Sequence, residues 1–218
     1  MLRDMAAPTR RRLPRAEREE KMLDAALGVF TERGFDAASM DEIAAASGIT
    51  KPMLYSYFGS KEGLYLVCIE RAARPMIDAL RAAAVVPEDD PAARLWAGTR
   101  AYLGWVDAHR ELWARFFLEA SARGGAPAAR VDELSREVGE TLAELFGGSA
   151  RAAGVGAMAE VEAMAVCLQG ATSAMARWWL DHPDVPRDLV ALRVVNFAWR
   201  GLEELIRGNL WLPPPETD

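Results

Sequence analysis

Two histidines and two cysteines are all that the 218 residues offer a metal ion or a nucleophilic relay. His109 and His182 stand apart from each other, and there is no HExxH pair, nucleophile elbow or glycine-rich phosphate loop. Acidic side chains are plentiful, but none form a spaced pair distinct from a solvated helix face. An enzyme would lack its machinery, so no catalytic residue, cofactor or metal is expected. Cys68 and Cys167 each lie in an apolar helical pattern, which suits core thiols of a reduced cytosolic protein better than a disulfide. No apolar run approaches membrane-spanning length, and the N-terminus has arginines but no apolar signal-peptide core. The expectation is a soluble, cytoplasmic protein with no membrane partner. Alternating strand patterns and internal repeats are missing as well, which predicts an all-α fold.

Against these absences stand 51% apolar and 27% charged residues, a balance that builds a globular protein. A mass of 23.9 kDa fits one large or two small domains. The net charge of −6 is unevenly placed. Residues 1–61 hold ten basic and nine acidic side chains, while the remainder holds sixteen against twenty-three. The first eighteen residues alone carry six arginines against two acids. Positive charge therefore gathers at one end, and the acidic remainder would discourage non-specific contact with a polyanion.

Residues 1–15, Arg-rich and broken by Pro8 and Pro14, read as a flexible arm that either follows phosphates or is a solvated tail. Met22, Leu23, Ala26 and Phe30 mark a first helix ending at Gly34. In residues 39–61, SMDEIAAASGITKPMLYSYFGSK, Ser39 stands three before Glu42, the spacing of a capping box. Gly48 ends that helix. Thr50 can cap another, with Pro52 tolerated in its first turn. Leu54 and Phe58 lie four apart and face inward together, leaving Lys51, Met53, Tyr55 and Tyr57 on the unpacked surface. Helix, glycine turn and short helix is the plan of a helix-turn-helix.

A long helix follows from Ser60, with Pro75 placed to kink or interrupt it. After a break at residues 87–91, further helices are predicted to about His109, then through Leu112 to Leu118 with a loop at 124–127. The next runs from Val131 and stops at Gly147 and Gly148. The last two are predicted at about 158–180 and 187–208, before a proline-rich tail. The implied division is an arm (1–15), a helix-turn-helix domain (16–60), a larger helical domain (61–212) and a tail (213–218).

Residues 25–65 resemble the DNA-binding domain of the tetracycline-repressor (TetR) family of transcriptional regulators. Phe30, Gly34, Phe35, Ile43, Ala44, Gly48, Leu54, Tyr55, Tyr57, Phe58 and the Ser60, Lys61, Glu62 run carry the resemblance at uninterrupted spacing. It implies that Thr50, Lys51, Pro52, Met53 and Tyr55 approach base edges or the adjacent backbone of operator DNA. It further implies that Ser39, Met40, Tyr57 and Lys61 hold phosphates; Ser39 as a cap only, and Tyr57 as a packing residue, are open alternatives. Asp41 occupies a position where a basic residue reaches a base in some relatives, and an acid is not expected to do so. The resemblance implies a homodimer through the last two helices, most simply a repressor on a palindromic operator. A small effector bound in the C-terminal domain would release it. Aromatic residues there, Trp96, Trp105, Trp113, Phe117 and Trp178, are candidates for contact with an apolar or aromatic ligand or for plain core.

Overall fold

The computed structural model describes residues 14–84, 90–152 and 158–206, and among them there is helix and no strand. The arginines at 3, 10, 11 and 12, the break at 85–89 and the chain beyond 206 lie outside the described residues. The chain divides into two compact units, Met1–Cys68 and Ile69–Asp218.

In the first unit, α1 (Arg15–Ala37) buries Met22, Leu23, Ala26 and Phe30. The backbone leaves helical geometry at Gly34. Phe30 and Phe35 then close on Tyr65 with ring centroids 5.0 and 4.9 Å away, an aromatic cluster that joins the end of α1 to the start of α4 (Lys61–Ala84). The capping box forms at the head of α2 (Met40–Ser47). The Ser39 hydroxyl accepts the Glu42 amide at 3.2 Å, and Glu42 Oε2 accepts the Ser39 amide at 3.0 Å. Gly48 ends α2 at φ +66°, a left-handed conformation that only glycine reaches without strain.

α3 (Lys51–Phe58) begins after Thr50, whose carbonyl accepts the Met53 and Leu54 amides while its side chain makes no cap bond. Pro52 explains why, because an imino nitrogen there leaves the hydroxyl one amide fewer to hold. Leu54 and Ile43 are fully buried, each contributing roughly 1.5–3 kcal/mol by leaving water. Phe58 is only half-buried. Ser60 caps α4 through the Gly63 amide at 2.9 Å.

α4 (Lys61–Ala84) crosses the boundary between the units without interruption at Pro75. Pro75 is exposed, so the carbonyl that loses its helical donor is freed on the solvent side. In the second unit Asp90 caps α5 (Pro91–Ala108) by accepting the Ala92 and Ala93 amides. A short α6 (Arg110–Trp113), a π turn (Ala114–Leu118) and α7 (Glu119–Arg123) follow. Gly124 and Gly125, both at positive φ, make the turn into α8 (Gly125–Ala152). Pro127 belongs to the first turn of α8 rather than to a loop. Nor does α8 stop at Gly147 and Gly148: a glycine costs a helix only about 1 kcal/mol, too little to end one with a long packed stripe.

α9 (Met158–Leu180) packs on α8, and α10 (Arg187–Ile206) packs on α5. Trp179 is almost wholly buried. Its indole N–H donates to the Val185 carbonyl at 2.7 Å, and the Arg110 guanidinium lies over its ring at 4.3 Å. Arg74 and Arg81 of α4 both donate to Glu137 of α8, at 2.7 and 2.8 Å, and Arg130 of α8 pairs with Glu70 of α4.

Candidate nucleic-acid interface and internal cavity

Burial divides α3 by register. Leu54 is the core residue, whereas Pro52, Tyr55 and Ser56 are exposed and Lys51 and Met53 are half-buried. Tyr55 keeps 42% of its surface open, although an aromatic ring of its size ordinarily packs. Together with exposed Thr50, these side chains form an outward face of hydroxyls, an apolar ring and a thioether, a mixture able to meet both base edges and thymine methyls. At the head of this face Lys51 Nζ donates to Asp41 Oδ2 at 2.8 Å. That bond and the neighbouring negative charge hold the ammonium above the ordinary lysine range.

The four residues read as phosphate holders are placed less simply. Ser39 is committed to the capping box, donating its hydroxyl to Glu42 Oε2 at 3.0 Å. Met40 is a core side chain at 5% exposure, so only its backbone amide, in a first turn where helices leave donors unpartnered, is suited to an anion. Tyr57 packs on α1: its hydroxyl accepts Arg18 Nε at 3.2 Å, and the Arg15 guanidinium lies over its ring at 5.2 Å. Lys61 is drawn to the turn after α1, donating to the Asp36 carbonyl at 3.3 Å above the Phe35 ring. The contacts of Tyr57 and Lys61 each join residues 25 or more apart in sequence, beyond the reach of any local pattern.

The second unit contains a cleft of about 710 Å³. Trp113 and Phe117 line one side, Val131, Leu134 and Ser135 of α8 another, and Gln169, Ser173 and Arg177 of α9 a third. A small pouch of about 40 Å³ adjoins it, lined by Leu80, Leu95, Leu142 and Leu168 among others. Tyr102, Val138, Gln169 and Ser173 belong to both. The Tyr102 hydroxyl at this junction accepts the Trp113 indole N–H at 3.1 Å and faces Ser173 Oγ at 3.5 Å. Burial pushes the phenol up, so it stays neutral near pH 7. Exposed Arg177 of α9 and Asp132 of α8 also line the cleft.

Of the five aromatic residues read as ligand contacts, Trp113 and Phe117 line this cleft, and the other three lie elsewhere among the described residues. Trp105 is core, stacked on His109 with centroids 4.9 Å apart. Trp96 lies beneath the Arg100 guanidinium at 5.5 Å. Trp178 follows Arg177 by one residue, a rotation of about 100° about the helix, and stacks outward on His182 at 4.1 Å. Tyr102, Ser173 and Arg177 line the cleft without standing out in the sequence. The available signal was polar residues at 169, 172, 173 and 177, one stripe along an otherwise apolar α9.

The outward sides of α9 and α10 carry unusual apolar exposure. Trp178 is 37% exposed, Leu192 47% and Phe197 76%, with small Ala163 and Ala174 also open, whereas exposed Val166 and Gly170 border the cleft. The Arg193 guanidinium over the Trp178 ring, at 5.7 Å, brings the two helices' outer sides together.

Comparisons with known proteins agree over most of the chain. A model of bacterial regulatory proteins of the tetR family matches residues 22–68, and one of the tetracyclin repressor-like C-terminal domain matches residues 91–201. The HTH-type transcriptional activator FasR of Mycolicibacterium smegmatis is 32% identical over 196 residues, 89% of this chain and 87% of that protein. A TetR-like transcriptional regulator from Rhodococcus sp. RHA1, solved by crystallography, is 37% identical, with a TM-score of 0.67 over 88% of this chain and 99% of its own. The fold alone is shared with the regulator FadR of Bacillus subtilis in complex with stearoyl-CoA. That likeness has 15% identity and a TM-score of 0.68, over 87% of this chain and 98% of that one.

Proposed function

Because the chain belongs to the tetR family of bacterial regulatory proteins, which are DNA-binding transcriptional regulators, we propose that it represses as a homodimer on a palindromic operator and is released by an amphipathic ligand. The observation that carries this reading is the division of α3: Leu54 seals one side into the core while Thr50, Lys51, Pro52, Met53 and Tyr55 remain available on the other. One such helix reads too few base pairs for a genomic site, and two related by symmetry read two half-sites.

The exposed apolar face of α9 and α10 supports pairing of two copies, since Trp178, Leu192 and Phe197 gain by leaving water. Ala163 and Ala174 would let the paired helices approach closely.

The cavity supports a ligand with an apolar body and an anionic end, the body along Trp113, Phe117 and the leucine pouch and the end near Arg177. FadR of Bacillus subtilis holds stearoyl-CoA, a ligand of this type. Coupling to DNA would run through α8, which lines the cavity with Val131, Leu134 and Val138 and is tied by Glu137 to Arg74 and Arg81 of α4. Because α4 contributes residues to both units, a ligand that favours one setting of α8 biases the DNA-bound state.

A gel shift with the DNA upstream of the protein's own gene tests the first half. A specific complex that weakens steeply with salt is expected, and absence of any specific complex overturns the reading. Adding stearoyl-CoA or palmitate tests the second half; a complex indifferent to both refutes an amphipathic effector. A second reading, activation, is favoured by the name of the 32% identical FasR. In vitro transcription from the shifted DNA separates the two, falling with added protein for a repressor and rising for an activator.

A further inference from the structure

Asp41 and Lys51 stand on different helices, at the second residue of α2 and the first of α3, and meet at 2.8 Å on the face turned away from the core. Asp41 is exposed and Lys51 half-buried with its ammonium at the surface, so the pair adds little to stability. A carboxylate here is costly if the face meets a polyanion, unless it has a task. The pair is also net neutral. While Asp41 holds Lys51, the ammonium is not free to displace a counterion from a phosphate, so it contributes little salt-dependent affinity. What the pair can do is read a base-pair edge. In the major groove guanine presents acceptors at O6 and N7, and its cytosine partner presents the N4 amino donor. Guanine O6 and cytosine N4 are hydrogen-bonded to each other, about 2.9 Å apart. Lys51 Nζ and Asp41 Oδ2 have almost the same separation, with donor and acceptor in the complementary order.

We propose that Asp41 and Lys51 together read one G·C pair in each half-site, Lys51 donating to guanine and Asp41 accepting from the cytosine amino group. Asp41 thereby also keeps Lys51 from acting as a phosphate contact. This rests on the DNA-binding reading above and reverses the expectation that an acid at position 41 is excluded from base contact. Of the ammonium's three N–H bonds one goes to Asp41, which leaves two for guanine O6 and N7.

The test uses the full-length protein and a pool of randomised duplexes, from which the wild type selects its operator. Asp41→Ala and Lys51→Ala are then titrated against duplexes changed one base pair at a time, over a range of salt. Both variants are expected to lose preference at the same single G·C position, where the wild type discriminates by roughly tenfold. Asp41→Ala should also steepen the salt dependence, by about 0.9 in log K against log salt for each freed lysine, because Lys51 becomes available to a phosphate. Asp41→Asn, which keeps the side chain's size and removes its charge, should steepen it similarly. The proposal is overturned if Asp41→Ala keeps the wild-type preference and slope, or if Lys51→Ala lowers the slope by about one phosphate equivalent. If the wild type selects no sequence at all, the DNA-binding reading falls first and this one with it.

Discussion

Replacing Tyr102 by Phe removes one oxygen atom from the junction of pouch and cleft and leaves the ring's packing in place. The hydroxyl accepts the indole N–H of Trp113, which is 3% exposed, so the variant strands a buried donor. An orphaned neutral donor costs about 1–3 kcal/mol. The other contact, to Ser173 at 3.5 Å, is long and borders the cleft, where water can take it over, so it should add little. The expected loss is therefore about 1–2 kcal/mol, in the lower half of that range. For a chain of this size it should lower Tm by roughly 2–8 °C.

The decisive measurement is a double-mutant cycle with Trp113→Phe, followed by denaturant unfolding at one fixed protein concentration, because dimerisation would itself shift apparent stability. With the indole already gone, Tyr102→Phe should cost almost nothing, giving a coupling energy of about 1 kcal/mol. Equal costs in both backgrounds would refute the bond as the reason for the loss. No loss in either would mean that the hydroxyl is not the indole's acceptor in solution.

Three further perturbations act elsewhere in the molecule. A Cβ at Gly63 would lie 2.3 Å from the Phe58 carbonyl oxygen, so Gly63→Ala should force the α3–α4 turn to shift; a gel shift should show weakened operator binding while sizing shows the dimer intact. Gly48→Ala, at φ +66°, should cost about 1–2 kcal/mol through left-handed strain alone, since open space surrounds the added methyl; a thermal melt within error of wild type would contradict this. Hydrogen bonding from Arg74, with help from Arg81, holds the Glu137 carboxyl below its ordinary range. A carboxyl whose folded pKa is depressed stabilises above its unfolded pKa and loses that contribution as pH falls through the folded value. Glu137→Gln should therefore be less stable than wild type at neutral pH, and the gap should narrow below about pH 4.3. A gap that stays constant with pH would exclude the ionised bridge as its source.

The helix-turn-helix was legible in the sequence because its determinants are local. Ser39 reaches Glu42 within one turn, Gly48 answers a backbone angle, and Leu54 follows a period of 3.6 residues. Residues whose partners lie far along the chain were not legible in the same way. Tyr57 accepts from Arg18, 39 positions away, and Lys61 donates to the Asp36 carbonyl across 25. Asp41, read as excluded from base contact, acquired a partner ten positions on, across the turn between α2 and α3. The aromatic residues of the second unit show the same limit. Periodicity marks Trp96, Trp105, Trp113, Phe117 and Trp178 alike as helical and apolar, but only packing separates the cleft-lining Trp113 and Phe117 from the rest. The sequence by itself determined the family, the helical class and the position of the helix-turn-helix, since caps, turns and periodicity act over a few residues. Tertiary structure alone decided which side chains face the cavity and which charges meet, because those depend on contacts such as Tyr102 with Ser173, 71 residues apart, that no local rule encodes.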